Sequence, residues 1–392
     1  MVAAGAFVNR SKKSSPTREP ISTCAVLLAG GRGTRFWPRS RMRTPKQLLN
    51  IAGNETMLRE TVARLAPIVP LRDCWVVTNA EQSARVRREL HVVSPAQILA
   101  EPVGRNTTAA IGLAAIHLAH KHGDALMAVL PADSYIADVP RYRGLVRAAL
   151  DLARAAGNLV VLGVPPTRPE TGYGYIERGT VFARPRGFAV YDVRRFTEKP
   201  ALAVARKYVA SGKYLWNAGM FFWRASTFLE NLQRFLPDTH TALMKLAKTI
   251  GTPQYVSALR RIYPRLQNIS VDYAVMEPAT RSRSRLAAQR SGTSRVTVIP
   301  ASIGWSDIGS WAAVYELLAS KVGANVSAGP FVSIDASGNY FWSPTKFIAA
   351  IGVCDLVLVE TDDAILICPR ERSQDVGRIV KWLEERKLKR LV

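Results

Sequence analysis

The chain is 392 residues long and 48% hydrophobic, and its 54 Lys and Arg against 30 Asp and Glu give a formal net charge of +24. That length holds two domains, or one large domain with an appendage, and the apolar content suffices for a core. No apolar run approaches the roughly 20 residues that span a bilayer, since Ala349 to Val359 is interrupted by Asp355. The charge raises nucleic-acid binding, but the cations are spread along the chain, as at Arg85-Arg87-Arg88, Arg194-Arg195 and Arg260-Arg261, with no aromatic-interleaved stripe. Solvated faces and anionic small substrates account for the excess. Met1 to Ile21 carries Arg10, Lys12, Lys13 and Arg18 without the apolar core of a secretory signal, and reads as a disordered basic extension. Cys24, Cys74, Cys354 and Cys368 lie far apart in apolar strand-like runs. They read as reduced core residues of a cytoplasmic protein.

In chain order, apolar patterning predicts alternating strands and helices. Cys24–Leu28 reads as a buried strand, Met57–Leu65 as a helix, Cys74–Thr78 as a strand, Ala80–Leu90 as a helix and Gln97–Leu99 as a short strand. Thr107–Lys121 is a long alanine-rich helix, Ala125–Leu130 a strand ending at Pro131-Ala132-Asp133, Tyr142–Ala156 a helix and Leu159–Val164 a strand. This order predicts an α/β fold with a Rossmann-like, mostly parallel sheet covered by helices on both faces. Past Trp311 the composition shifts. Phe331–Ile334 and Tyr340–Trp342 flank one turn signal, Asp355–Glu360 and Ala364–Cys368 flank another, and Gln374–Leu391 reads as an amphipathic helix. The expected division is a large domain over 22–318 and a small β-rich domain over 319–392 that ends in a helix.

The densest signal follows the first strand: Gly30-Gly31-Arg32-Gly33-Thr34-Arg35-Phe36-Trp37-Pro38, then Pro45-Lys46-Gln47. A strand running into a glycine-dense turn lets several backbone N–H groups approach a polyphosphate. The spacing excludes a P-loop, which needs Lys and then Ser or Thr, and a dinucleotide fingerprint, which needs a further glycine or alanine where Phe36 stands. A tight turn would explain the glycines, but it has no need of Arg32, Arg35 and Lys46 at one strand end.

This segment resembles the signature of the sugar-1-phosphate nucleotidylyltransferases. Trp37 before Pro38 and Gln47 after Lys46 resemble the variant of the mannose-1-phosphate guanylyltransferases, and the resemblance runs from Cys24 to Val392. It implies transfer of GMP from GTP to α-D-mannose 1-phosphate with release of pyrophosphate. It also implies Mg²⁺ as cofactor, small-molecule substrates with no nucleic-acid or membrane partner, and a homodimer. By the same resemblance, Gly30, Gly31, Arg32, Gly33 and Thr34 hold nucleotide phosphates, and Arg35, Lys46 and Lys199 are catalytic cations. Asp133 and Asp307 become the metal ligands, although a lone Asp after a strand also reads as a helix cap and one in a Gly-rich turn as structural.

Glu101-Pro102-Val103-Gly104-Arg105-Asn106-Thr107 closes a strand and opens a helix, where Asn106 or Thr107 suits a cap. The resemblance lays this segment, Pro102 and Thr107 included, against the base, with Glu101 and Asn106 reading guanine. The implied sugar half comes from Tyr173 and Gly174, from Glu198 beside Lys199, and from Asn217 with Gly219. Each alone also reads as a hairpin turn or a surface ion pair. Ser270-Val271-Asp272-Tyr273-Ala274-Val275-Met276-Glu277 is a further family pattern that reads as a packed helix, with Asp272 either structural or orienting site groups. Two positions depart from the family: Ala109 where proline is common, and Ser134 where many relatives carry histidine. The chain stops short of the fused isomerase domain of long relatives, so a monofunctional enzyme is expected. Three other readings stay open: UTP or ATP with glucose 1-phosphate, a non-catalytic regulatory paralogue, and a nucleic-acid binder.

Overall fold

The structure is a computed structural model that describes residues 21–286 and 294–392. Apart from its last residue, Ile21, the expected basic extension lies outside the described residues. The large domain contains β1 (Ser22–Leu28), α1 (Met57–Leu65), β2 (Cys74–Asn79), α2 (Ala80–Glu89), β3 (Ile98–Glu101), α3 (Asn106–His122) and β4 (Ala125–Pro131). It continues through β5 (Tyr135–Ile136), α4 (Val139–Ala153), β6 (Asn158–Val164), β7 (Gly174–Ala183), β8 (Val190–Glu198), α5 (Leu202–Ser211) and β9 (Tyr214–Arg224). Next come α6 (Ala225–Phe235), α7 (Pro237–Ala247), α8 (Tyr255–Ile262), α9 (Glu277–Leu286), β10 (Arg295–Pro300), β11 (Trp305–Ser306) and α10 (Trp311–Leu318).

Nine strands form one sheet in the order β3-β2-β1-β4-β9-β6-β10-β8-β7, in which β8 and β9 run against the others. The alternation of apolar side chains sends Ala25, Leu27 and Val76 to one face, against α1 and α4. Cys24, Val26 and Val77 go to the other, against α3, α6 and α7. The sheet is thus buried on both sides, as expected. β2 lies on one side of β1 and β4 on the other, so the chain reverses direction across the sheet at β1. Ligands of such sheets bind at the carboxyl ends of the strands flanking that reversal. Leu28 pairs with Pro131, so the glycine turn and the Asp133 turn leave the sheet at one level.

The C-terminal region contains β12 (Val326–Ala328), β13 (Phe331–Ile334), β14 (Tyr340–Trp342), β15 (Ile348–Ile351), β16 (Leu356–Thr361), β17 (Ala364–Pro369) and α11 (Val376–Glu385). β12, β14 and β16 stack in parallel, β13 and β15 form a second parallel pair, and β17 returns antiparallel to β16. The turn at Asp335–Asn339 is therefore a corner between two sheets, since its flanking strands never pair. Buried Asn339 holds that corner by donating to the Val353 carbonyl at 2.9 Å and to Asn325 Oδ1 at 2.9 Å. Cys354 is exposed on the next corner and Cys368 is half-buried, which corrects the expectation of four core cysteines. α11 stops at Glu385, short of the expected Leu391, and buries Val376, Val380 and Leu383 while Ile379 stays largely exposed.

Phe36 and Trp37 of the signature turn do not face the sheet. They join Trp311, Tyr340, Val357, Val380 and Leu383 in a third core that binds the C-terminal region to the large domain.

Candidate active site

Two chambers open at the carboxyl end of the sheet. The first, about 400 Å³, is lined by Gly30, Gly31, Gln47, Glu101, Gly104, Asn106, Thr107, Val271 and Asp272 among others. The second, about 480 Å³, is lined by residues including Gly33, Thr34, Arg35, Lys46, Ser134, Tyr173, Gly174, Glu198, Asn217 and Asp307. Pro131, Asp133 and Gly219 belong to both walls. Asp133 stands where the two spaces meet.

Gly33 has φ +62, and a Cβ there would lie 2.4 Å from Cβ of Lys46. Only glycine lets the turn and Lys46 come together. Lys46 is 5% exposed; its Nζ donates to Asp133 Oδ2 at 3.1 Å and to the Asp307 carbonyl. One cation thus ties the strand end carrying Asp133 to the Asp307 turn. Arg35, by contrast, is exposed and has no hydrogen bond or ion pair among the described residues.

The Asp307 turn is strained. Ile308 is buried at φ +41, a left-handed geometry unusual for a β-branched residue and costing about 1–3 kcal/mol. That twist presents the Asp307 carboxylate inward, where Tyr173 donates to Oδ1 at 2.5 Å. Burial pushes the Asp307 carboxyl up and the charge of Asp133 adds to it, against the pull of Tyr173 and Lys46. Two hard oxygen donors that repel each other across the chamber wall fit a small divalent cation, which would draw its remaining ligands from phosphate oxygens and water. Tyr173, expected on the sugar, lines the second chamber, braces Asp307 and stacks edge-on against Trp216 and Trp305.

In the first chamber Glu101 is buried, and Tyr263 donates to its Oε1 at 2.7 Å. Burial raises the Glu101 carboxyl, while the Tyr263 hydroxyl opposes that rise and favours the ionised form. Oε2 lies 3.2 Å from where a Cβ on Gly30 would sit, so glycine there keeps this oxygen open to the chamber. Asn106 sits at φ +63 and its Oδ1 accepts from Thr107 N at 2.9 Å. The Thr107 hydroxyl is no cap. It accepts from Val271 N at 2.9 Å, binding the start of α3 to the Asp272 segment.

The groups expected on the sugar form two hydrogen-bonded clusters, one at Asn217 and one at Glu198. Asn217 Nδ2 donates to Asp272 Oδ1 at 2.8 Å, Gly219 N donates to Asn217 Oδ1 at 3.0 Å, and Lys199 Nζ pairs with Glu198 Oε1 at 3.0 Å. Glu277 Oε1 accepts from Glu198 N at 3.0 Å. Glu198 Oε2 is buried and has no hydrogen-bond partner among the described residues. Burial, then the charge of Glu198, pushes the Asp272 carboxyl up to about 7. Asp272–Met276 is a π-helical turn, a widening of the helix that recurs at functional sites. The segment is packed as expected, with Val271, Ala274 and Val275 buried, and its bulge brings Asp272 to Asn217.

Three expected site residues line neither chamber. Arg32 pairs with Glu384 of α11 at 2.6 Å, Pro102 lies outside both walls, and the exposed Lys199 turns back onto Glu198 from φ +46. Trp37 is also structural: its Nε1 donates to the Leu391 carbonyl at 2.8 Å and its own carbonyl accepts from Trp311 Nε1 at 3.2 Å. Gln47 does face the first chamber, donating to the Ala29 carbonyl at 2.7 Å and the Gly31 carbonyl at 3.1 Å. Tyr263 and Glu277 were not singled out from the sequence, because each meets its partner only through long-range packing.

The family model for nucleotidyl transferases matches residues 24–322, and that for the MannoseP isomerase/GMP-like beta-helix domain matches residues 329–383. A mannose-1-phosphate guanylyltransferase of Escherichia coli (strain K12) is 38% identical over 92% of this chain and 73% of its own length. The chain belongs to the mannose-1-phosphate guanylyltransferase family of nucleotidyltransferases. The alginate biosynthesis protein AlgA of Pseudomonas aeruginosa is 37% identical over 92% of the chain and 72% of its own. A solved structure from Thermus thermophilus, described as a mannose-1-phosphate geranyltransferase, superposes with a TM-score of 0.81 at 34% identity, covering 93% of this chain and 100% of that one. The matched β-helix domain agrees with the parallel stacking of β12, β14 and β16. No helix among the described residues is long and apolar enough to cross a membrane.

Proposed function

We propose that this nucleotidyltransferase transfers GMP from GTP to α-D-mannose 1-phosphate, yielding GDP-mannose and pyrophosphate. The observation that carries the reading is the meeting of the two chambers at Asp133, one walled by a buried carboxylate and the other by a polar hydroxyl-binding network. Guanine offers N1–H and N2–H donors to the open Oε2 of Glu101, with Asn106 beside it. The hexose offers vicinal hydroxyls to Glu198 and Asn217. Family membership supports the same pair of substrates.

The sugar phosphate needs no base to activate it. A phosphate monoester loses its second proton near pH 6, so at neutral pH its oxygen is already anionic. That oxygen forms a bond to the α-phosphorus of GTP in line while the bond to the bridging oxygen of pyrophosphate breaks. Asp133 and Asp307 would hold Mg²⁺, which when bound offsets phosphate charge. Arg35 and Lys46 add positive charge beside that site, and the N–H groups of the glycine turn cradle the phosphates. Lys199, now paired with Glu198, reaches the sugar phosphate after a side-chain rotation. The expected homodimer belongs to this proposal as well, to be checked by light scattering.

Pyrophosphate release measured with GTP, ATP, UTP and CTP against mannose 1-phosphate, glucose 1-phosphate and N-acetylglucosamine 1-phosphate tests the reading. The GTP and mannose 1-phosphate pair should be fastest. A faster UTP or ATP reaction with glucose 1-phosphate would replace it.

A further inference from the structure

The opposite end of the sheet holds a cluster that the transfer reaction does not use. Cys24 opens the buried part of β1, Asp73 immediately precedes β2, and His122 ends α3 just before Gly123 at φ +72. One ligand atom from each of the three lies within 4.8 Å of the others. With six residues at about 3.3 Å per residue along the chain, Cys24 is roughly 20 Å from Gly30 and the phosphate turn. The cluster is therefore remote from Asp133 and Asp307.

Three features distinguish it from chance proximity. His122 Nε2 is buried without a hydrogen-bond partner among the described residues, an orphaned atom that ordinarily costs stability. Asp73 has only a long contact to Arg72 Nε at 3.8 Å, and its side chain stays 18% exposed, which leaves an approach from solvent. Lys121 donates to the Arg72 carbonyl at 3.5 Å and lies over the Trp75 ring. Cys74, although next to Asp73, packs on the other face of the sheet and is not a fourth ligand.

The geometry points to a zinc site formed by Cys24 Sγ, Asp73 carboxylate and His122 imidazole, with a water in the fourth position. One thiolate, one carboxylate and a neutral imidazole balance the charge of a divalent ion. Burial and Lys121 lower the His122 pKa against the opposing charge of Asp73. Burial pushes the Cys24 thiol up to about 12, so binding must displace its proton to solvent, as zinc does at thiol sites. Tetrahedral bonds of about 2.0–2.3 Å put ligand atoms about 3.3–3.8 Å apart, so a pair standing at the outer limit of this cluster closes by about 1 Å on binding. The mixed sulfur, nitrogen and oxygen set selects zinc and disfavours magnesium. Bound there, the ion would pin β1, the start of β2 and the end of α3 together at the base of the sheet.

The test uses the full chain with Cys354→Ser, which removes the exposed thiol. After chelation it is titrated with Co²⁺ and, separately, with Zn²⁺. One equivalent of Co²⁺ should give a thiolate charge-transfer band and the intense visible bands of a tetrahedral site, and Zn²⁺ should raise the melting temperature. Both signals should vanish in Cys24→Ser and in His122→Gln, the second being a half-buried position that tolerates change. Absence of the charge-transfer band, or its persistence in either variant, overturns the site.

Discussion

The nucleotide side and the sugar side of this active site are built on different terms. Around the phosphate turn, Gly30, Gly31 and Arg35 are exposed, and Arg35 has no partner among the described residues. On the proposed sugar side Asn217 is already held by Asp272 and Gly219, and the Glu198 backbone by Glu277. The difference follows from what each ligand brings. A polyphosphate carries several charges and can order loose cations as it arrives, through charge-assisted bonds roughly twice as strong as neutral ones. A hexose brings neutral hydroxyls whose hydrogen bonds are worth only about 0.5–1.5 kcal/mol each, so the acceptors must be aligned beforehand.

The most damaging changes should fall where the two sides meet. Asp133→Ala, Asp307→Ala and Lys46→Ala should each lower kcat by about 10²–10³, as expected for loss of one preorganised charge stabiliser. Near-normal turnover would remove that residue from the mechanism. Next in size, Arg35→Ala should lower kcat/KM about ten- to a hundredfold, from the roughly 1.5–3 kcal/mol of a lost charged hydrogen bond. Its melting temperature should not change, because the side chain holds nothing in the free protein. A destabilised variant would mean that Arg35 is as built-in as the sugar-side groups.

Asp272→Asn probes the other side through pH. The folded carboxyl sits at about 7, against about 3.9 in an unfolded chain. Between those values the folded protein keeps a proton that the unfolded chain has lost. The stability this group contributes is thus complete below pH about 4 and is lost as the pH rises to about 7. Melting curves of the wild type and Asp272→Asn should diverge across that window, with the variant lacking this part of the slope. Parallel curves would place the proton elsewhere. Smallest of all, Arg32→Ala and Glu384→Ala should each cost about 0.2–1 kcal/mol at most, since both side chains are 41% exposed. A large loss of activity in Arg32→Ala alone would return that arginine to the phosphates.

The sheet was legible because its apolar runs alternate with amphipathic helices: Met57–Leu65 has the expected bounds, and β1, β2, β4 and β6 differ by a residue or two. The glycine turn and Asp133 were legible for a similar reason, since local spacing delivers them to strand ends, whereas Asp307 was marked by its glycine-flanked turn and by the family resemblance. Partners chosen by packing were not. Nothing local says that Tyr263 will meet Glu101, that Tyr173 will brace Asp307, or that Arg32 will turn to α11. The parallel stacking of the C-terminal strands was hidden as well, because Phe331–Ile334 pairs with Ile348–Ile351 across an intervening strand. Trp37 and Gln47 stand close in sequence, yet one fills an interdomain core and the other faces the base chamber.

A crystal structure with GDP-mannose and Mg²⁺ would test the two-chamber account most directly. It should place guanine against Glu101 and Asn106, the diphosphate at Asp133 with the metal between it and Asp307, and mannose against Glu198 and Asn217. A sugar lodged beside Glu101, or a product bound away from Asp133, would contradict the account.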